Sequence, residues 1–492
     1  MKYKNYKLKL IFNSIIYSFS GILLKCFSFF LLPLYTAYLT TEDYGITSLC
    51  TSFITTSSFI VAFSLFSAVM RFYVDLKNDQ KKLKRFYGTI VIFIFISALL
   101  FGILITIYKN IISKYIFPGI HYYPFILISL ISLVFYCQQV VYTNILQSQQ
   151  KAVKFSIINI VFFFITLVLN IFFIVILKKG AVGFLLAMMI SYIIYTMYFM
   201  IDIIKNKQII FCLDLKLLKE ALKYSIPIIP HNLSTQLAVL VSKILIGDGV
   251  SIAGVGIYSI ASQFGSIADT IQSYVDQAYG PWLYEKLHDE KDNFQQEIRD
   301  ISKILMSILG LFFLGISLFS QDYILLFMHS SYASSWYYIS PIVLVFTIKT
   351  AYYFYVEILF YYKEASKKLF LATFIGSMIN IIFTYFLVPI YGIYGSIVAD
   401  AFSMIIRVGI VILISKQYNN VGLHILDFIK NFLFVSIMIT IGLIFSYIKF
   451  KNNFNIGNFF YKCFIIIIYI TIVLIGYKAQ LKKILYIIKY KK

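Results

Sequence analysis

Apolar runs recur along the whole chain without alternation, and each is closed by a short polar stretch. A hydrocarbon core of roughly 30 Å takes about 20 apolar helical residues to cross. The runs predict fourteen such helices, near 11–37, 45–70, 87–108, 122–147, 155–177, 180–202, 224–247, 252–281, 301–320, 336–361, 368–388, 391–414, 428–448 and 457–476. A transmembrane barrel would instead show alternating segments of about ten residues. The pattern reads as an all-α polytopic membrane protein. Composition agrees: 60% of the 492 residues are hydrophobic and 13% charged, where a soluble protein carries about 25% charged residues.

A net charge of +22 would suggest a nucleic-acid partner if the basic residues formed one patch. They crowd instead into segments on one side of the predicted spans, such as "MKYKNYKLKL", 203–223 and the stretch after 476. That asymmetry follows the positive-inside rule, with attraction to anionic inner-leaflet lipid. It predicts cytoplasmic termini and no nucleic-acid partner. The first segment has the charged head of a signal peptide, but the run behind it is long and lacks a small-residue cleavage site, so an uncleaved first helix is expected. Cys26, Cys50, Cys137, Cys212 and Cys463 form no paired spacing, and the five histidines are equally dispersed. No disulfide framework, metal site or cofactor is expected.

The chain contains a repeat. "DYGITSLCTSFITTSS" (43–58) answers to "GVGIYSIASQFGSIAD" (254–269) at an offset of 211, with Gly45 over Gly256 and Ser48 over Ser259. "LNIFF" (169–173) answers to "INIIF" (379–383), and "GAVGFLLA" (180–187) to "GIYGSIVA" (392–399). The ordered set predicts a six-helix lobe over 1–204 and a second over 205–415, the latter preceded by a cytoplasmic linker. Two further helices and a basic tail fill 416–492. An even helix number inserts both halves the same way up, so they are expected to be related by a pseudo-two-fold along the membrane normal. Transporters built this way hold substrate between their halves. No extramembrane segment approaches the roughly 40 residues a domain needs.

Several predicted spans carry polar stripes. Ser14, Ser18, Gly21, Lys25 and Ser28 share one face of the first helix, and Lys25 is the only charge from Leu10 to Leu39. A lysine at mid-membrane costs about 2.5–3.5 kcal/mol on insertion scales, so such groups face water or a partner. A static pair with a neighbouring acid is the alternative. The second helix carries Ser48, Thr51, Thr55 and Ser58, and the seventh Asn232, Gln236 and Lys243. "SIPIIPHN" opens the seventh with two prolines, read either as a break at membrane depth or as ordinary punctuation. In the eighth, Ser259, Ser262, Ser266, Asp269, Ser273, Asp276 and Gly280 step by 3 and 4 along one face. The tenth adds Lys349 and Glu357, and the twelfth Asp400 and Arg407. Opposite signs within each of these pairs also fit a structural ion-pair network.

The stretches "YSIPIIPHNLSTQLAVLVSKILIGDGVSIAGVGIYSIASQ" (224–263), "LTTEDYGITSL" (39–49) and "VMRFY" (69–73) resemble the Wzx-type polysaccharide branch of the multidrug/oligosaccharidyl-lipid/polysaccharide (MOP) exporter superfamily. The resemblance covers the first twelve helices. Many members have Asp-Arg near the end of helix seven, where this chain reads Ser242-Lys243. The resemblance implies a flippase that carries an undecaprenyl-diphosphate-linked oligosaccharide across a bacterial inner membrane, for O-antigen, capsule or another surface glycan. Glycosyltransferases and a polymerase of the same pathway are implied as partners. A diphosphate needs cations, and Lys25, Lys243 and Lys349 are the candidates. Sugar hydroxyls need hydrogen-bonding walls, for which the polar stripes of Ser14, Ser18, Ser28, Ser48, Thr51, Thr55, Asn232, Gln236, Ser262 and Ser266 are suited. The lipid tail would stay among membrane lipids, along the two last helices. Directional movement needs a coupling ion, H⁺ or Na⁺, and Asp269, Asp276, Glu357 and Asp400 are the candidate carriers.

Three other readings stand beside this one. A lipid II flippase also wants a cationic site. A cation-coupled multidrug exporter would favour acidic walls, and the first half offers no mid-span acid of its own. A membrane-embedded glycan polymerase or glycosyltransferase would need acid/base groups on a substantial extramembrane segment, which the short loops do not supply.

Overall fold

The computed structural model describes residues 2–289, 294–366, 368–418, 421–478 and 480. Among them the regular structure is helical, without a strand. The helices are α1 (Lys2–Phe30), α2 (Leu32–Tyr38), α3 (Thr41–Val61), α4 (Leu65–Leu76), α5 (Gln80–Ile107), α6 (Lys109–Tyr115), α7 (Leu127–Ser148), α8 (Ala152–Asn170), α9 (Gly180–Lys205) and α10 (Leu215–Ser225). They continue as α11 (Ile229–Gly249), α12 (Ile252–Asp289), α13 (Phe294–Phe327), α14 (Trp336–Tyr361), α15 (Lys363–Ser366), α16 (Leu369–Tyr391), α17 (Ile393–Ser415), α18 (Ile425–Ile448) and α19 (Ile456–Gly476).

Among the described residues, twelve helical stretches are long and apolar enough to cross a membrane. The two expected spans outside that set are α11 and α12, which are helical but more polar than the others. The polar stripe that marks α12 also lowers its hydropathy, so the fourteen-way division is approximate. The chain divides into two compact units, Met1–Gly256 and Ile257–Lys492. This boundary falls inside α12, whereas the repeat suggests one near 204.

In the first unit α7 is central, packing on α3, α4, α5, α8 and α9, while α1 lies along α8 and α11 along α3. Leu49, Cys50, Phe86, Leu133, Cys137, Val141 and Leu185 are fully buried there. Leu100, Ile103 and Ile107 on α5 stay exposed, as befits a surface meeting lipid. Helices in lipid gain no hydrophobic drive from each other and hold by close packing and hydrogen bonds. Both are visible at the start of α3. The Thr40 hydroxyl accepts from Asp43 N at 3.0 Å and the Asp43 carboxylate accepts from Thr40 N at 3.1 Å, a reciprocal cap. Asp43 Oδ1 also accepts from Ala181 N at 3.0 Å, fastening α3 to the first turn of α9.

The repeat acquires a physical meaning at the same place. A Cβ on Gly45 would stand 2.0 Å from the Ile252 carbonyl oxygen, and one on Gly256 would stand 2.0 Å from that of Thr41. Residues 41 and 252, like 45 and 256, correspond at the repeat offset of 211. The first turns of α3 and α12 therefore cross reciprocally, each glycine receiving the other helix's backbone. Only glycine fits either position.

Two expected elements differ. The second span breaks after Val61, where Phe63 and Ser64 take φ of 48° and 53°, and restarts as α4. The linker 203–223 contains α10, capped by Asp214 through Lys216 N and Leu217 N. Pro227 lies in a one-turn 3₁₀ link at Ile226–Ile228, and Pro230 in the first turn of α11. A proline there costs no intrahelical bond, so the punctuation reading holds.

In the second unit α14 packs on α13, α17 and α18, α16 on α17, and α13 on α18 and α19. The two last helices are staked rather than loosely apposed. Tyr469 OH donates to Ser307 O at 2.9 Å, Gln321 Nε2 to Phe450 O at 2.7 Å and Trp336 Nε1 to Lys451 O at 3.2 Å.

Candidate functional site

The polar residues picked out by spacing resolve into separate groups, one in the first unit and three in the second. In the first unit, α11 lies against α3 and brings Lys243 to Ser48 and Ser52. Its Nζ donates to Ser48 Oγ and Ser52 Oγ, both at 2.7 Å, and to Ser48 O at 3.4 Å. All three acceptors are neutral. They solvate the ammonium without cancelling its charge, which leaves it attractive to an anion. Ser52 faces it although the spacing argument passed it over: Ser52 is one helical turn from Ser48 and was hidden behind Thr51 in the stripe.

The neighbouring stripe residues are engaged with backbone. Thr51 Oγ1 donates to Thr47 O at 2.7 Å, and Thr55 Oγ1 to Thr51 O at 3.1 Å and Ser52 O at 3.0 Å. Each such hydroxyl keeps its lone pairs as acceptors. Asn232 Nδ2 reaches Ser67 Oγ at 3.5 Å, and Gln236 contributes its backbone carbonyl to Thr56 Oγ1 at 3.2 Å. On α1, Lys25 and Ser28 are exposed, and Ser28 Oγ bonds back to Leu24 O at 2.9 Å. Ser18 is half-buried, and the Ser14 side chain lies outside the described ones.

In the second unit, Lys349 meets an acid from another helix. Its Nζ lies 2.6 Å from Asp269 Oδ1, which also accepts from Tyr353 OH at 3.1 Å. The ammonium is further flanked by the rings of Phe346 and Tyr353, at 5.5 and 5.2 Å. Lys349 thus enters an ion pair, and its partner is Asp269 rather than Glu357 on its own helix. Glu357 is buried and accepts from Tyr284 OH. It lies against α12 where Gly280 leaves space, since a Cβ there would be 2.6 Å from Glu357 Oε2. Asp276, one turn before Gly280, has a buried Oδ1 with no hydrogen-bond partner.

The last group joins α16 and α17. Asn380 Nδ2 donates to Asp400 Oδ1 at 2.6 Å, and Arg407 Nη2 to Ser377 Oγ at 2.8 Å, with the Arg407 side chain lying over Gly376. Asn170, the repeat partner of Asn380 at offset 210, is also buried and donates to Tyr35 OH at 3.0 Å. The matched asparagines thus meet a carboxyl group in the second unit and a phenol in the first. Ser262 and Ser266 bond back to Tyr258 O at 2.8 Å and Gln263 O at 2.7 Å.

One buried charge escaped the sequence reading. Lys462 on α19 is wholly buried, with Nζ 2.7 Å from Asp322 Oδ2 and 2.9 Å from Gln321 Oε1. Its signal was the one that drew attention to Lys25, a single charge in the apolar run "NFFYKCFIIIIYI". Among the described residues, no His, Cys, Asp or Glu group could hold a metal ion.

The sequence pattern of the family described as polysaccharide biosynthesis protein matches residues 10–286. The chain belongs to that family. No curated protein matches it. Among solved structures, a lipid II flippase MurJ in an inward closed conformation is similar at a TM-score of 0.72 and 19% identity, over 95% of this chain and 100% of that one. An inward-facing MATE family multidrug transporter of the MOP superfamily is similar at 0.56 and 15%, over 78% of this chain and 92% of that one. The Vibrio cholerae MATE transporter VcmN, in its bent form, is similar at 0.52 and 14%, over 87% and 98%. The fold is the one these three proteins share. Family, fold and twelve apolar helices together describe a polysaccharide biosynthesis family member with the architecture of a multi-pass membrane protein.

Proposed function

We propose that this polysaccharide biosynthesis family member flips undecaprenyl-diphosphate-linked glycan repeat units across a bacterial inner membrane, by alternating access coupled to H⁺ or Na⁺. The observation that carries the reading is Lys243, a lysine on α11 whose hydrogen-bond acceptors are all neutral. A multidrug exporter of cations gains nothing from such a group, whereas a diphosphate does. Lys25, exposed on α1, is the second cation of this proposal. Lys349 takes part only if its pair with Asp269 opens. Hydroxyl and amide groups at Ser18, Ser28, Ser48, Thr51, Thr55, Asn232, Gln236, Ser262 and Ser266 are the sugar-facing set. Lobes over 1–204 and 205–415, helices beyond 416 and cytoplasmic termini belong to the same reading.

Ion coupling is assigned to the acids of the second unit. Asp269, released from Lys349, and Asp400, held by Asn380, can each change partner with protonation or cation binding, and a ligand that binds one conformation better shifts the population toward it. Lipid II carries the same diphosphate and stands as the second reading, supported by a fold shared with MurJ over that protein's whole length.

The test is export of surface glycan in cells whose own flippase is deleted. Lys25→Ala and Lys243→Ala are expected to abolish export at normal protein levels, and unchanged export would remove these residues from the mechanism. Rescue of lipid II translocation, with surface glycan still absent, would select the second reading. Asp269→Asn is expected to alter the pH or Na⁺ dependence of flipping in proteoliposomes, and an unaltered profile counts against coupling there.

A further inference from the structure

Gln272 and Asp276 stand one turn apart on the same face of α12, where side chains at i and i+4 meet. Gln272 is 1% exposed. Its Nε2 donates to Phe346 O at 2.6 Å and to Thr350 Oγ1 at 2.7 Å. The Phe346 carbonyl can only accept, so the amide cannot be turned round, and Gln272 Oε1 is left with no donor. Asp276 Oδ1 is buried and equally without one. Both residues line one pocket with Tyr279, Leu309, Thr350, Tyr353 and Phe354, and it is too tight to admit a whole water molecule. Two buried acceptors in one pocket, each lacking a donor, are costly to leave unmatched. A proton occupies no room and supplies the missing donor.

We propose that Asp276 carries a proton on Oδ1 and donates it to Gln272 Oε1, making this pocket of the second unit a proton-binding site. Glu357 on α14, which lies against Gly280 one turn further along α12, is a second buried carboxyl group beside the pocket. Asp276 also faces the phenols of Tyr279 and Tyr284 on α12 and of Tyr352 and Tyr353 on α14, on each of which its charge would act. From α13, Ser302 faces the pocket's edge, bonded to Tyr279 OH at 3.1 Å. Arg407 on α17 acts on Tyr352, and Lys349 is held by Asp269. Loss of the proton would leave both acceptors with no donor, one of them now charged, and Asp276 must then turn out of the pocket. The site thereby couples a protonation step to a movement of α12 against α14. The proposal deepens the ion-coupled reading and rests on it only for the use made of the proton.

Infrared spectroscopy of the purified full-length protein in liposomes at neutral pH tests it without any transport measurement. The expected result is a protonated-carboxyl C=O band that moves on exchange into D₂O and is lost in Asp276→Asn. Gln272→Leu, which removes the acceptor, should displace the band. Asn keeps a donor at the same place, so Asp276→Asn is expected to fold, and Gln272→Leu supplies the second reading if it does not. A band that survives Asp276→Asn, or keeps its frequency in Gln272→Leu, overturns the assignment. A sodium arm uses Trp282, whose ring lies 5.7 Å from that of Tyr279, in a Trp336→Phe background. A saturable Na⁺-dependent emission change that Asp276→Asn abolishes, with no carboxyl band, assigns a metal ion and overturns the proton. A band present in a protein that flips no glycan leaves this site standing and defeats the flippase reading alone.

Discussion

At the scale of single residues, the account turns on which buried charges are cancelled. Lys243, Lys349 and Lys462 are all lysines on helices expected from the sequence to span the membrane, yet their partners separate them. Lys349 and Lys462 face carboxylates at 2.6 and 2.7 Å, and Lys243 faces serines. Hydrogen bonds to charged groups contribute about 1.5–3 kcal/mol, so Lys243→Gln is expected to slow flipping by about tenfold to a hundredfold, read as glycan translocated per minute. Ser52→Ala, which removes one neutral acceptor, should cost much less. Lys462→Met leaves Asp322 buried without its cation. It is expected to destabilise the protein by about 3–5 kcal/mol, seen as a lower midpoint of thermal unfolding in detergent. The double variant Lys462→Met/Asp322→Leu should recover most of that loss. Periodicity made Lys243, Lys349 and the α12 acids legible, because spacing reveals a shared face. It could not name partners, since these come from other helices; Lys349 was matched in sequence with Glu357 and meets Asp269 instead.

At the scale of elements, the repeat was legible as matched glycines and hydroxyls, but its purpose needed the crossing of α3 and α12. A side chain at Gly45 or Gly256 would stand 2.0 Å from a backbone carbonyl that cannot move aside. Gly45→Val and Gly256→Val are each expected to reduce folded protein in the membrane and to abolish export. Gly315→Ala, where nothing lies within 4 Å, should be neutral or slightly stabilising because alanine is the better helix former. The comparison is made by melting purified variants in detergent. Helix boundaries were harder to read than helices. The break at Phe63–Ser64 carries no glycine or proline, only two left-handed residues that tertiary packing must impose. The helix α10 was overlooked because its four charged side chains among eleven residues lower its hydropathy, the quantity by which spans were sought.

At the scale of the whole molecule, a fold shared with MurJ at 19% identity shows how little sequence a helical membrane architecture demands. Apolar surface of the right length and a few close-packing glycines are enough, so composition and run length disclosed the fold class. The chemistry resides in a handful of polar groups that this tolerance leaves free to vary. On the proposed reading, substrate is decided by Lys25 and Lys243 more than by the helices carrying them. Exchanging Lys243 for aspartate should leave folding and membrane insertion intact while removing transport, measured as normal protein levels without surface glycan. The most direct measurement is reconstitution of the purified protein into liposomes holding an undecaprenyl-diphosphate-linked glycan, with translocation followed by a glycosidase added outside. Glycan should become accessible with the native protein and do so about tenfold to a hundredfold more slowly with Lys243→Gln. Equal accessibility for both proteins, or none for the native one, would contradict the account.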